Sequence, residues 1–344
     1  MHATDLVPLS LMRFTASAGG WTSEERQIGF AATQLIPSWT GRTAPGTWIE
    51  VELQATTVFG TRTKWYVMGR WDEHGEHRTS VPGQGDDDGD VAVDTFVARR
   101  PVTSFRTRVT PHGAGARVTS LSVLASAVPA RAVTPSPPAG QDAVELAVPP
   151  LSQYAHAGLH PQWGGGAGWC SPVSLAMVLG YWGLGPAPAD LTWVADGDPG
   201  PAVVHAARGT YDHSYQGTGN WPFNIAYAGC FGLTGFVTRL RSAAELERLV
   251  RAGVPVITSQ SFKAHELPGS GYDTDGHLMV VTGFTAAGDV VANDPAGPEQ
   301  GLVRRVYPRA AFENVWLRSP GSGGVAYVLH PPGHPLPEAP DGNW

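Results

Sequence analysis

The chain has 344 residues, a formal net charge of -7 and two cysteines. That length suggests two domains and allows a sizeable core, while the acidic balance without any Lys/Arg run argues against a nucleic-acid or other polyanionic partner. Two cysteines with no Cys-x-x-Cys pair exclude a disulfide framework and a structural zinc site.

Lys64 and Lys263 are the only lysines, a bias that reads as coding preference and not as function. No window approaches the roughly 18 consecutive apolar residues of a membrane helix, so no membrane span is expected. The start, Met1-His2-Ala3-Thr4-Asp5, lacks the basic and apolar regions of a secretory signal. Retention in the cytoplasm and secretion after signal removal both fit, and localisation stays open.

From about Ser10 to Val128 the pattern has period two with turn punctuation, as expected of an all-β sandwich. In Trp48 to Ala55, Ile49, Val51, Leu53 and Ala55 share one face, while Glu50, Glu52 and Gln54 take the other. Further strands are predicted over Lys64 to Trp71, Val91 to Val97, Ser104 to Thr110 and Leu121 to Ala125, with turns at Pro37-Ser38-Trp39 and Pro45-Gly46-Thr47. Asp86-Asp87-Asp88-Gly89-Asp90 invites a calcium reading, but Val91 stands where an EF-hand needs glycine and no downstream Glu is placed to chelate; a solvated acidic turn is expected. Trp39, Trp65 and Trp71 read as core aromatics, with a sugar-binding face as the alternative. A glycan or protein ligand for this domain therefore stays open.

Thr134-Pro135-Ser136-Pro137-Pro138-Ala139-Gly140 reads as a semi-rigid linker. The expected organisation is multidomain: a β-sandwich over 1–129, a Pro-rich linker over 130–147, an α+β domain over 148–333 and a C-terminal tail over 334–344.

The second domain is organised around Trp163 to Trp182. Gly164 to Gly166 and Gly168 form a loop, and Trp169-Cys170-Ser171-Pro172 runs into the apolar-periodic Val173, Leu175, Ala176, Val178 and Leu179. Pro172 suits a first helical turn. A thiol there faces unpaired backbone N–H groups and the positive end of the helix dipole, both of which favour thiolate. A Cys170–Cys230 disulfide, the competing possibility, would disable that nucleophile.

The aromatic, Gly-rich stretch Thr210 to Asn224 reads equally as a cleft wall and as a surface connection with some buried aromatics. The substrate contacts expected are Trp169 beside the thiol and Tyr211, Asn220 and Trp221 from this stretch. Ser242-Ala243-Ala244-Glu245 is a capping box opening a helix that ends at Gly253, and Val254 to Thr258 follows as a strand. His277 leads the apolar run Leu278 to Val281, Gly288 marks a turn, and Val290 to Pro295 returns, so a hairpin can bring His277 beside Asp294. A cysteine nucleophile needs a base, and the base an orienter. His205 and His213 lie in the aromatic region and His265 lacks a carboxylate at a comparable hairpin position. No metal or cofactor is implied.

These features resemble the papain-like C39-type cysteine peptidases, in particular the stand-alone C39-like group of actinobacteria. The resemblance rests on Trp163-Gly164-Gly165-Gly166, Trp169-Cys170-Ser171-Pro172, Gly219 to Asn224, Gly276-His277-Leu278-Met279-Val280-Val281 and Asn293-Asp294-Pro295. Pro37-Ser38-Trp39 and Gly46-Thr47-Trp48 are similar to the β-sandwich often found ahead of that domain. It implies Cys170 as nucleophile, His277 as base and Asp294 as orienter in cleaving a peptide or protein substrate. It also implies an upstream glutamine at the oxyanion. Six residues before the cysteine, the usual place, the chain has Gly164; Gln153 is the expected substitute and Gln162 the runner-up. The same three side chains would serve an acyl or peptidyl transferase or an amide ligase. A binding module with an inactive papain-like domain is the alternative from another class.

Overall fold

The computed structural model describes residues 7–15, 19–75, 77–130, 132–319, 321–339 and 341–344. Met1 to Asp5, read above for a signal, lie outside the described residues. The chain forms two domains, one built of strands and one of strands and helices.

Eight strands make the first domain: β1 (Leu9–Phe14), β2 (Trp21–Thr22), β3 (Arg26–Arg42), β4 (Trp48–Thr57), β5 (Tyr66–Trp71), β6 (Gly89–Ala92), β7 (Thr95–His112) and β8 (Arg117–Ser126). Their antiparallel ladders run β1-β8-β3-β7-β4-β5, with β2 and β6 also on β7. The apolar face of β4 is buried as its alternation predicts, and Glu52, from the other face, is buried too because Arg108 holds both its oxygens at 2.5 Å. Two local expectations fail. Pro37-Ser38-Trp39 is not a turn but part of β3, where pairing with β7 has already ended at Leu35 and one flank of the strand needs no donor. Val91 to Val97 is not one strand but a hairpin, with Ala92 facing Thr95 and Val93 at φ 58°. Trp39 and Trp71 are core residues, and the Trp65 ring is covered by the Arg106 and Arg108 guanidinium groups at 5.0 and 4.4 Å. Asp86 closes its own turn by accepting from the Asp88 and Gly89 N–H groups.

The second domain carries β9 (Val144–Glu145), β10 (Thr234–Arg239), β11 (Val256–Phe262), β12 (Thr274–Phe284), β13 (Val290–Asn293), β14 (Arg304–Tyr307) and β15 (Val325–His330). These form an antiparallel sheet in the order β10-β15-β11-β12-β13-β14, with β9 on β12. Its helices are α1 (Cys170–Tyr181), α2 (Pro201–Thr210), α3 (Trp221–Cys230), α4 (Ala243–Arg251) and α5 (Arg309–Leu317). The Ser242 hydroxyl caps α4 by accepting from the Glu245 N–H, while the Glu245 carboxylate reaches back to Arg241 N–H.

The domains share a core. Phe223 and Ala226 of α3 are buried among the first domain's apolar residues, Phe223 lying edge-on to Trp39 at 6.2 Å. Burying such an aromatic is worth about 1.5–3 kcal/mol. Asp94 accepts from Trp221 N–H at 2.8 Å, Asp212 from Ser80 N–H at 3.0 Å, and Ser38 from Val237 N–H at 3.0 Å. The Pro-rich stretch is docked: Arg309 donates to Ser136 and Pro137 carbonyls, and Glu247 accepts from Ala139 and Gly140 N–H groups. The C-terminal stretch is docked as well, with Asn343 buried and bonded to Arg239 and Glu245.

Candidate active site

Cys170 is the first residue of α1. The loop ahead of it depends on glycine: Gly164 and Gly165 have φ of 83° and 73°, and a Cβ on Gly166 would meet the His156 carbonyl at 2.3 Å. No side chain caps α1, so its first N–H groups remain free to meet other acceptors. Ser174 donates to the Leu278 carbonyl at 3.3 Å and Ser171 pairs with the Tyr327 hydroxyl at 3.3 Å, which seats the helix on β12 and β15.

His277 lies in β12, and Asp294 follows β13 directly. Asn293 pairs with Val280, so Asp294 falls on the face shared by Met279 and His277. The turn between the strands carries Gly288 at φ 87°, with its N–H on the Thr285 carbonyl. His277 Nε2 meets Asp294 Oδ1 at 2.7 Å, both residues being buried. The other ring nitrogen is not taken by Asp294, and His277 lines the same cleft as Cys170.

The half-buried Cys170 thiol is shifted by opposing forces. Burial raises its pKa, but the hydrogen bond and charge of His277, with the Leu278 and Ser171 N–H groups, bring the net value below that of an ordinary thiol. Burial opposes the charged form of His277, yet the Asp294 carboxylate and the sulfur raise its pKa to about 10. Burial likewise opposes the Asp294 anion, but His277, Tyr307 and the Ala296 N–H hold its pKa at about 2. The opposing influences on these three groups therefore all favour the charged forms.

Residues not read from the sequence complete the surroundings. Tyr272 and Tyr307 hydroxyls donate to Asp294 Oδ2 at 2.9 and 2.6 Å, and the Ala296 N–H donates to Oδ1 at 2.9 Å. With His277, four donors fix that carboxylate. Behind the glycine loop, His156 and His160 share Asp198 at 3.0 and 2.8 Å, and His160 stacks on Trp169 at 5.7 Å. Their His-x-x-x-His spacing was the available signal; the tyrosines, 22 and 13 residues from Asp294, had none.

A cleft of about 510 Å³ opens over Cys170 and His277, bordered by Gly168, Tyr215, Trp221 and Gln260. Of the expected substrate contacts, Trp221 lines it. Trp169, Tyr211 and Asn220 do not. Trp169 is buried and donates to the Trp163 carbonyl, the Tyr211 carbonyl accepts from Arg78, and Asn220 caps α3 while donating to Asp212. Asp212 also gathers the Ser214 and Tyr215 N–H groups, which sets Tyr215 at the cleft. Gln153 is buried, its Nε2 donating to Ala167 O at 2.6 Å and its N–H to Pro295 O at 2.9 Å. Gln162 is exposed. Cys170 and Cys230 are both free thiols. Among the described residues no cluster of side chains fits a metal ion, and no helix is long and apolar enough to cross a membrane.

Fold and site together define a two-domain protein whose second domain sets a thiol and an imidazole in one cleft, with a buried carboxylate bonded to the imidazole. The chain belongs to the C39-like peptidase family: residues 145–323 match that family's model, and residues 9–127 match the peptidase C39 N-terminal domain. Among solved structures, a candidate C39-like peptidase from Bacillus anthracis is similar at 20% identity, over 55% of this chain and 98% of that one, with a TM-score of 0.36. A particle derived from infectious bursal virus matches at 12% identity over 34% of this chain and 32% of its own, with a TM-score of 0.19. Both scores are too low to carry an argument. No curated protein matches this chain.

Proposed function

We propose that the chain is a cysteine peptidase that cleaves a peptide bond through a thioester acyl-enzyme, with Cys170 as nucleophile, His277 as acid and base and Asp294 as orienter. One observation carries this reading: Cys170, at the start of α1, and His277, bonded to the Asp294 carboxylate at 2.7 Å, line one cleft. The thiolate adds to the carbonyl carbon, and the oxyanion that forms is met by backbone N–H at the start of α1. Gln153 is the proposed second donor, because one of its two amide hydrogens is taken by Ala167 O and the other is left. His277 then protonates the departing amine as the C–N bond breaks. Water, deprotonated by His277, releases the acid and restores the thiolate.

The finer architecture goes with this reading. We take the second domain as papain-like, supported by a helix that opens on the thiol and packs on the strand bearing the imidazole. The first is taken as a sandwich, supported by the 17-residue β3, which passes from β7 to β8 along its length. A boundary near 129 fits it, whereas β9 at Val144–Glu145 starts the second domain ahead of 148 and the docked Asn343 carries it past 333.

A digest of a peptide library, read by mass spectrometry for wild type and Cys170→Ala, tests the function. Cleavage by wild type should fall by at least ~10³-fold in the variant. Cleavage that survives the substitution, or none by wild type, overturns the proposal. An added amine acceptor separates hydrolysis from transfer by the mass of the product.

A further inference from the structure

The cleft contains buried polar atoms that the fold itself does not use. Gln260 lies in β11 opposite His277, so the two side chains share a face, and it is 1% exposed. Neither its Nε2 nor its Oε1 has a hydrogen-bond partner among the described residues. It is the one buried carboxamide there with both ends unpaired; Gln153, Asn224 and Asn343 each lack a partner at one oxygen only. Thr218, 3% exposed and on the stretch leading to α3, lines the same cleft, and its Oγ1 is likewise unpartnered. Leaving a buried polar group unpaired costs about 1–3 kcal/mol, whereas an apolar side chain of the same shape would cost nothing. Gln260 braces no loop and caps no helix, so its amide is best accounted for by something that enters the cleft.

We propose that Gln260 and Thr218 form a recognition subsite for a carboxamide side chain, Asn or Gln, of the peptide substrate. The inference rests on the peptidase reading of the same cleft. A carboxamide offers the matching pair of groups: its NH₂ donates to Gln260 Oε1, its oxygen accepts from Gln260 Nε2, and the Thr218 hydroxyl meets a remaining donor or acceptor position. A carboxylate leaves Oε1 facing another acceptor, and an ammonium leaves Nε2 without one. A leucine side chain leaves all three protein atoms buried and unpaired, the case in which sites built for hydrogen bonding discriminate most strongly. Gly276, Ser259 and Ser322 line the same cleft with small side chains or none.

Two measurements on the full chain test this. In a peptide-library digest, wild type should favour Asn or Gln over Leu at one position near the cut. Gln260→Leu should reduce that preference ~100-fold and Thr218→Val ~10-fold, while neither lowers the melting temperature. Separately, peptides retained by Cys170→Ala should be enriched in Asn and Gln, and the enrichment should vanish in Cys170→Ala/Gln260→Leu. Should Gln260→Leu fail to fold, the isosteric Gln260→Glu replaces it and must also lose the carboxamide preference. Cleavage without such a preference, or a preference unchanged by these substitutions, overturns the subsite and leaves the peptidase reading standing. Carboxamide enrichment by Cys170→Ala with no cleavage by wild type supports the subsite and overturns the peptidase reading.

Discussion

The two thiols of this chain sit at opposite ends of two helices. Cys170 is the first residue of α1 and Cys230 the last of α3. Both are free and half-buried, and burial pushes both pKa values upward. At Cys170 the His277 ring and two backbone N–H groups reverse that push. At Cys230, where Glu73 adds to burial and the sulfur lies 3.6 Å from the Ala226 carbonyl, Arg42 and Arg78 oppose the push without reversing it, and the pKa rises to about 12. Burial alone therefore does not make a thiol inert; what meets the sulfur decides.

The strongest way to break that contrast is to remove the charge that keeps His277 cationic. Asp294→Asn keeps the shape but loses the carboxylate, so the His277 pKa should fall toward its ordinary value and the thiolate should require higher pH. Peptide turnover, measured by chromatography of the products at neutral pH, should drop on the order of 10²–10⁴-fold. Turnover within a factor of three of wild type would mean that the carboxylate is not needed.

Alkylation reads the contrast directly. His277, raised to about 10, stays protonated as pH rises until that value, and Cys170, lowered, stays ionised as pH falls until its own. Between those limits the pair is charged. Cys230, near 12, remains a thiol throughout. Iodoacetamide at pH 6, with labelled peptides counted by mass spectrometry, should modify Cys170 ~100-fold faster than Cys230. Equal rates would sink the thiolate assignment.

The smallest effect is expected at Tyr307. Tyr307→Phe deletes one of four donors to Asp294 and leaves Tyr272 on the same oxygen. A loss of about 1–3 kcal/mol in denaturant-measured stability should accompany a turnover change of ~10-fold or less. A larger fall in turnover than in Asp294→Asn would show the tyrosine acting on substrate directly.

How legible these features were depends on how local their causes are. The start of α1 at Cys170 and the Ser242 cap of α4 follow from residues within one helical turn. The β12–β13 hairpin follows from two apolar runs about a single glycine, and that hairpin alone brings His277 to Asp294. Errors arose where neighbours far along the chain overrode local signals. Pro37 is drawn into β3 by pairing with Val123, and Val91 to Val97 folds on itself to place Asp94 against Trp221. Asn220 looked like a substrate contact, but its side chain is spent on Phe223 and Asp212.

The sequence by itself determined a thiol at a helix start and an imidazole and carboxylate on one hairpin, because helix and hairpin are set by short-range hydrogen bonding and side-chain periodicity. Only the tertiary structure decided that the helix packs so that the thiol and the imidazole line one cleft, that Tyr272 and Tyr307 close around Asp294, and that Gln260 lines that cleft with neither end of its amide paired. Those placements join residues separated, at the widest, by more than a hundred positions, and their energies exist only once the sheet and α1 have packed together.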